Sequence, residues 1–265
     1  MNIWTTKSIE LASQRNYLDL LYKVYPMSVN LRREIDQKTQ GEIKNYLANQ
    51  DKKNLLLTLL EQEVFPIKDS YVAYLKRDKS AIDRNPNTVD RLFGMLLEMG
   101  FDEIIDKATV PKETNRQIGP LFKRWINTGS LGAEVTDNPE RFLNSNSNII
   151  FNTGDLAMSN FATDHLGYNH DKGLDFIAKF NGKYILAETK FLTDFGGHQN
   201  AQFNDAISTM KSRTRDCGRG VKIISILDGV LYINGNHKMM KSLLSFDDSD
   251  VVISSVLLRD YLYQL

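Results

Sequence analysis

Residues 173–191 read GLDFIAKFNGKYILAETKF, two apolar runs separated by Asn181-Gly182. An Asn-Gly pair between such runs is a strong local signal for a two-residue hairpin, because a type I′ turn needs positive φ at both central residues. The turn sets the register. Phe180 then faces Lys183, and continuing outward places Asp175 directly opposite Glu188 on one face of the sheet. Lys190, two residues beyond Glu188, falls on that same face. Opposed Cβ atoms lie about 5 Å apart, so both carboxylates reach one divalent cation.

Upstream of the hairpin the apolar residues fall at helical spacing: Leu18, Leu21 and Tyr22; Leu55, Leu56, Leu59 and Leu60; Val89, Leu92, Phe93, Leu96 and Leu97; Ile118, Leu121, Phe122 and Trp125. Pro26, Pro66, Pro86 and Pro111 stand between these runs, where a helix stops. Residues 127–172 are dense in Asn, Ser, Gly and Thr and read as loops with one short strand over 149–151. Beyond them the period changes to two. Strands are expected over 176–180, 183–191, 221–227 and 230–233, and a helix over 198–212 whose inner face carries Ala201, Phe203, Ala206, Ile207 and Met210. The tail, 250–265, holds a further apolar run. This order predicts an α/β (α+β) fold, a mixed central β-sheet flanked by helices, with a mainly helical N-terminal part. The division expected is a mainly helical region over 1–126 and a core over 127–265 that holds the hairpin, or one integrated domain.

With 42% hydrophobic and 25% charged residues, the chain has the composition of an ordinary globular protein. Lys plus Arg, 33, balance Asp plus Glu, 33, so a charged partner must be met by a local patch rather than by the field of the whole molecule. The single cysteine, Cys217, excludes an intrachain disulfide framework and a Cys-rich zinc site, and makes the reducing cytoplasm the expected location. The N-terminal residues carry no apolar signal core, and no stretch approaches the roughly 18 consecutive apolar residues of a membrane helix. The chain contains no GxxxxGK[ST], GxGxxG, HExxH or GxSxG, which removes the usual short signatures of NTPase, dinucleotide, zincin and esterase chemistry.

Two carboxylates and a lysine at one end of a sheet have a definite use in phosphodiester hydrolysis. Asp175 and Glu188 are candidate ligands for Mg²⁺, and Lys190 is a candidate to orient the attacking water or stabilise the phosphorane oxygens. Magnesium suits a set of hard oxygen donors, whereas neither Cys217 nor any His pair has zinc-ligand spacing. Acid-x-Lys alone carries little information, since it recurs at Asp36/Lys38, Glu42/Lys44 and Asp51/Lys53. The hairpin differs because it sets like charges directly opposite one another among apolar neighbours, an arrangement that is destabilising without a cation.

Asp175, twelve intervening residues, then Glu188-Thr189-Lys190 on the second strand of a hairpin resembles the PD-(D/E)XK nuclease superfamily. The wider order of segments is similar to type II restriction endonucleases: a helical N-terminal part, NRQIGPLFKRW, the ETKFLTDFGGHQNAQFNDAI block, a strand ending in LDG, and VVISSVLLRDYL near the end. The resemblance implies metal-binding acids at Asp175 and Glu188, a catalytic lysine at Lys190, Mg²⁺ as cofactor, double-stranded DNA as substrate, a homodimer, and a cognate DNA methyltransferase. Leu174 stands where the motif has proline. Asp171 is a rival first acid outside the paired register, and Glu134 and Glu113 are candidates for an additional upstream acid. Rival functions are a repair, recombination or mobile-element nuclease, a non-catalytic DNA-binding protein on a nuclease-like fold, and an enzyme of small phosphate esters.

Gly196-Gly197 leads into a helix whose first turns carry His198, Gln199, Gln202 and Asn204. Gln and Asn read adenine edges and His reaches phosphate, while the plainer reading is capping and solvation of the helix start. Gln199 and Gln202, three apart, share a face. Lys211, Arg213, Arg215, Arg219 and Lys222 form a candidate patch for backbone phosphates, with Lys76, Arg77, Lys79 and Arg84 a second arm. Residues 144–148 are a candidate recognition loop, and Trp125 reads as core.

Overall fold

The computed structural model describes residues 1–27, 32–111 and 115–265, the side chains of 115 and 116 apart. It divides into two units, Met1–Met27 with Thr114–Leu265, and Ser28–Glu113. The first unit opens with α1 (Ile3–Ser13) and α2 (Tyr17–Val24). The second holds α3 (Gln37–Ala48), α4 (Lys52–Glu61), α5 (Ser70–Arg77), α6 (Ala81–Arg84) and α7 (Pro86–Ala108). Leu55, Leu59, Leu92 and Leu96 build a core of its own. Asp36, Asp51 and Asp69 start α3, α4 and α5 by accepting backbone N–H groups that the helix leaves unpaired.

The first unit resumes with α8 (Asn115–Asn127), β1 (Glu134–Thr136), α9 (Pro139–Asn144), β2 (Ile149–Phe151), α10 (Asp155–Leu166), β3 (Phe176–Phe180) and β4 (Lys183–Leu192). It ends with α11 (Gly197–Lys211), β5 (Val221–Gly229), α12 (Lys238–Ser245), β6 (Val252–Ile253) and α13 (Leu258–Tyr263). These strands form one mixed sheet in chain order. The pairs β2–β3 and β3–β4 are antiparallel and the other neighbours parallel. Asn181 and Gly182 have φ of 49° and 79°, and the β3–β4 ladder runs from Phe180 opposite Lys183 to Phe176 opposite Ala187, the expected register.

Both faces of β4 are covered, which is why it reads as a nearly unbroken apolar run. On the Ala187 face, Phe122 of α8 meets Phe176 edge-on at 6.3 Å and Tyr25 meets Phe191 at 5.5 Å. Ile118, Phe122 and Ile126, one turn apart, are the buried stripe of α8. On the Glu188 face, α11 is tied to the sheet where Ser225 Oγ donates to the Ala206 carbonyl at 2.9 Å. Phe142 of α9 packs there against Phe161 of α10 and Tyr184 of β4.

The structure departs from the sequence reading in three places. Residues 127–172 are not loops around one strand: they contain β1, α9 and α10 besides β2. The Asn and Gly residues that resemble loop composition are the punctuation of short helices. The Asn138 side chain accepts the Arg141 N–H at the start of α9, and Gly167, in the left-handed region, closes α10. Residues 230–233 do not form a strand, because Gly229 at φ 98° turns the chain out of β5 into a single 3₁₀ turn over Val230–Tyr232. The contacts also do not divide the chain at 126/127, since α1, α2 and α8 lay their apolar residues on the same core as the sheet.

A methyl group at residue 229 would lie 2.0 Å from the Leu192 carbonyl oxygen. Gly229→Ala therefore lowers unfolding stability by about 2–4 kcal/mol in thermal melts. Gly94→Ala, in α7 with open space around the new methyl, raises stability of its unit by about 0.5–1 kcal/mol.

Candidate active site

The ladder of β3 ends one residue short of Asp175. There the backbone slips by one step: the Asp175 N–H donates to the Ala187 carbonyl at 2.9 Å, while Asp175 Oδ2 accepts the Thr189 N–H at 2.8 Å. Glu188 follows in the middle of β4 and is 7% exposed. Its Oε1 lies 2.7 Å from Lys190 Nζ, and its Oε2 accepts from Thr209 Oγ1 of α11 at 2.8 Å. The three residues singled out in the hairpin thus meet where β3 runs out and leaves the edge of β4 uncovered.

Burial pushes the Asp175 carboxyl up, against the pull of Lys190 and the Thr189 N–H, and the charges of Glu188 and Asp155 push it further. Burial alone would lower the Lys190 ammonium, but Asp175 and Glu188 outweigh it and hold its pKa above the ordinary lysine value. Tyr168, beside them, is raised to about 12, first by burial and then by Glu188. Two carboxylates against one ammonium leave the site one positive charge short. Among the described residues no group of three or more His, Cys, Asp or Glu converges on a point. Two carboxylate oxygens with the remaining positions left to water and phosphate are what Mg²⁺ ordinarily takes, so the donor set fits that ion.

Asp175 and Lys190 line a cleft of about 270 Å³ with Gly119 and Pro120 of α8, Thr189, and Gln202 of α11. The Thr189 hydroxyl, buried there, has no hydrogen-bond partner. Gln202 is therefore brought to the site, and His198 hydrogen-bonds its side chain at 3.0 Å from an exposed position. Asn204 is exposed on the same helix. Gln199 is not available to a ligand: it is 6% exposed, and its Oε1 accepts the Thr193 N–H at 3.2 Å, holding the loop that follows β4. Residues three apart on a helix differ by about 60° in direction, and here that turns Gln199 against the loop after β4 while Gln202 lines the cleft.

The basic stretch after α11 is largely engaged. Lys211 pairs with Asp250 at 3.3 Å, Arg215 donates to Asn169 at 2.9 Å, and Arg219 donates to the His165 carbonyl at 2.7 Å, at the C-terminal turn of α10. Arg213 is exposed, and the Lys222 ammonium is pushed down by burial and by Lys183. In the second unit, Lys79 pairs with Glu61 and Arg84 with Asp78, while Lys76 donates to the Gln62 carbonyl and Arg77 to the Ala73 carbonyl, so two of that cluster's four cations are ion-paired. The 144–148 segment clamps the hairpin turn: Asn148 Oδ1 accepts the Asn181 N–H at 2.9 Å. That is the end of the ladder away from Asp175. Asp171 is exposed beside His170, and Glu134, on β1, pairs with Arg141; neither reaches the site. Glu113 lies outside the described residues. Trp125 packs on Phe122 and the core, as expected.

No curated protein and no solved structure matches the chain. The family profile described as Tsp45I type II restriction enzyme matches residues 2–265, nearly its whole length. The chain belongs to the Tsp45I type II restriction enzyme family. It is a restriction endonuclease, a site-specific hydrolase of DNA, and no described helix of this restriction enzyme is long and apolar enough to cross a membrane. Sequence reasoning missed two of its buried polar residues. Thr209 lies on the apolar inner face of α11 beside Ala206 and Met210, and a hydroxyl in that stripe was the available signal. Asp228, fully buried at the end of β5, accepts from Tyr25 at 2.8 Å and Ser254 at 2.6 Å, residues too distant in sequence for any spacing rule to join.

The two glutamines of α11 separate experimentally. Gln199→Ala lowers stability by about 1 kcal/mol in thermal melts through loss of the Thr193 bond. Gln202→Ala leaves stability within about 0.5 kcal/mol and weakens duplex binding in gel shifts by about 1–3 kcal/mol.

Proposed function

We propose that this enzyme hydrolyses phosphodiester bonds in both strands of double-stranded DNA at a short specific sequence, with Asp175 and Glu188 as ligands of Mg²⁺ and Lys190 as the catalytic lysine. What carries the reading is the meeting of one buried and one half-buried carboxylate with one ammonium beside a cleft. Bound Mg²⁺ supplies Lewis-acid polarisation of the phosphate and lowers the pKa of a coordinated water. Asp175 and Glu188 bind it through hard oxygens, and the Thr189 N–H keeps the Asp175 carboxylate turned toward β4. Lys190, kept protonated by its two acidic neighbours, donates to the phosphate oxygens as negative charge builds on them. Gln202, with His198 and Asn204 on the same helix, contacts the duplex next to the scissile bond, and Arg213 contacts backbone phosphate.

The hairpin with Asp175, Glu188 and Lys190 supports membership of the PD-(D/E)XK superfamily. One such site among the described residues and two strands to cut favour a homodimer whose two-fold axis coincides with that of a palindromic site. Cutting unmodified DNA calls for a companion DNA methyltransferase that protects the host sequence, and both act in the cytoplasm.

The test is incubation of the purified protein with unmethylated phage DNA and Mg²⁺, with an EDTA control. Discrete bands that vanish with EDTA are expected, and mapping their ends gives the site. A smear would replace sequence-specific cutting with a nonspecific nuclease, and intact DNA would remove the catalytic reading. Asp175→Asn, Glu188→Gln and Lys190→Met each lower the cleavage rate by at least about 10²–10³-fold while circular dichroism stays that of the parent. An Asp175→Asn protein that cuts normally would move the first acid elsewhere.

A further inference from the structure

Thr209 is fully buried, on a helix face whose neighbours Phe203, Ala206 and Met210 are apolar. A hydroxyl in that setting costs stability unless it is hydrogen-bonded. A threonine hydroxyl has one proton, and three acceptors lie within reach: Glu188 Oε2 at 2.8 Å, the Asp205 carbonyl at 3.2 Å and the Tyr168 oxygen. Of the first two, the shorter contact is to the charged acceptor, which makes the stronger bond. The other oxygen of the same carboxylate faces Lys190 Nζ at 2.7 Å. The two oxygens of Glu188 therefore have unlike partners. Oε2 is held by an uncharged group on a helix that Ser225 pins to the neighbouring strand, whereas Oε1 is held by a cation on a long side chain still partly exposed.

We propose that Thr209 is a positioning residue for Glu188, holding Oε2 so that Oε1 is the oxygen presented to the divalent cation. The proposal rests on the reading of Glu188 as a metal ligand. Lys190 Nζ lies 2.7 Å from Oε1, so a cation held by that oxygen would displace the ammonium, which would stay beside Asp175 and face the phosphate. Thr209 keeps the carboxylate from rotating through this exchange, because its donor sits on the rigid side of the site.

The experiment is a Mn²⁺ titration of the full chain without DNA, following the electron paramagnetic resonance signal of the free ion, for the parent, Thr209→Val, Thr209→Ser and Glu188→Gln. Thr209→Val, which keeps the shape and loses the hydroxyl, is expected to bind Mn²⁺ about tenfold or more weakly, the usual loss when a partner behind a metal ligand is removed. Thr209→Ser, which keeps the hydroxyl, is expected to stay within about twofold of the parent. Parent-like binding by Thr209→Val, or equal weakness of the Val and Ser proteins, would overturn the assignment. Glu188→Gln separates the two levels of the argument. If it binds Mn²⁺ like the parent, Glu188 is not a ligand and the reading of the site fails together with the proposal. If it loses Mn²⁺ while Thr209→Val does not, only the role of Thr209 falls. Melting curves accompany each protein, and should the Val protein not fold, Thr209→Ala takes its place with the same thresholds.

Discussion

A buried charge must have a partner, and the site of this enzyme is built around that constraint. Removing a carboxylate from water costs several kcal/mol unless hydrogen bonds and opposite charge replace its hydration. Glu188 sits inside the sheet with Lys190 on one oxygen and Thr209 on the other, and Asp175 draws a backbone N–H from Thr189. These partners suffice for the chain to fold and leave the site short of positive charge. On the proposed reading, that deficit is what a divalent cation would answer.

Asp228 supplies the contrast within the same unit. It is fully buried, and burial pushes its carboxyl up, yet its oxygens accept from Tyr25, Ser254 and the Ser255 N–H. Hydroxyls and an amide meet it from α2 and from the segment after β6, so the carboxylate works as a junction. Fully buried, with both oxygens engaged, it offers no face to a ligand. Two buried acids a few residues apart on neighbouring strands thus differ in role through their partners: Asp228 is closed by uncharged donors, while Glu188 is held by one uncharged donor and one ammonium.

The surrounding architecture brings these partners to the site. The crossover from β4 to β5, required because the two strands are parallel, carries α11 across the Glu188 face and sets Thr209 at its oxygen and Gln202 at the cleft. On the other face α8 supplies Gly119 and Pro120, a small-residue rim where proline lacks the backbone donor that would otherwise face its own helix. Several cations of the candidate DNA-binding patches are joined to carboxylates and helix-end carbonyls of their own unit.

The sequence by itself determined the hairpin and its register from Phe180 opposite Lys183 to Phe176 opposite Ala187, because a two-residue Asn-Gly turn is a local constraint and the alternation of a strand carries it outward; the step at Asp175, where the ladder ends, came from the fold. Helices with clean 3.6-residue stripes were legible for the same reason. The short helices α9 and α10 were not, since their caps have the composition of loops. Only the tertiary structure decided which polar residues are engaged within the fold and which line the cleft or stand exposed: Gln199 bonded to Thr193 while Gln202 lines the cleft, Arg219 bonded to the His165 carbonyl while Arg213 stands exposed, and Thr209 behind Glu188. Those outcomes depend on contacts between segments distant in sequence, where the energy of a polar group is set by what surrounds it and not by its position in a pattern.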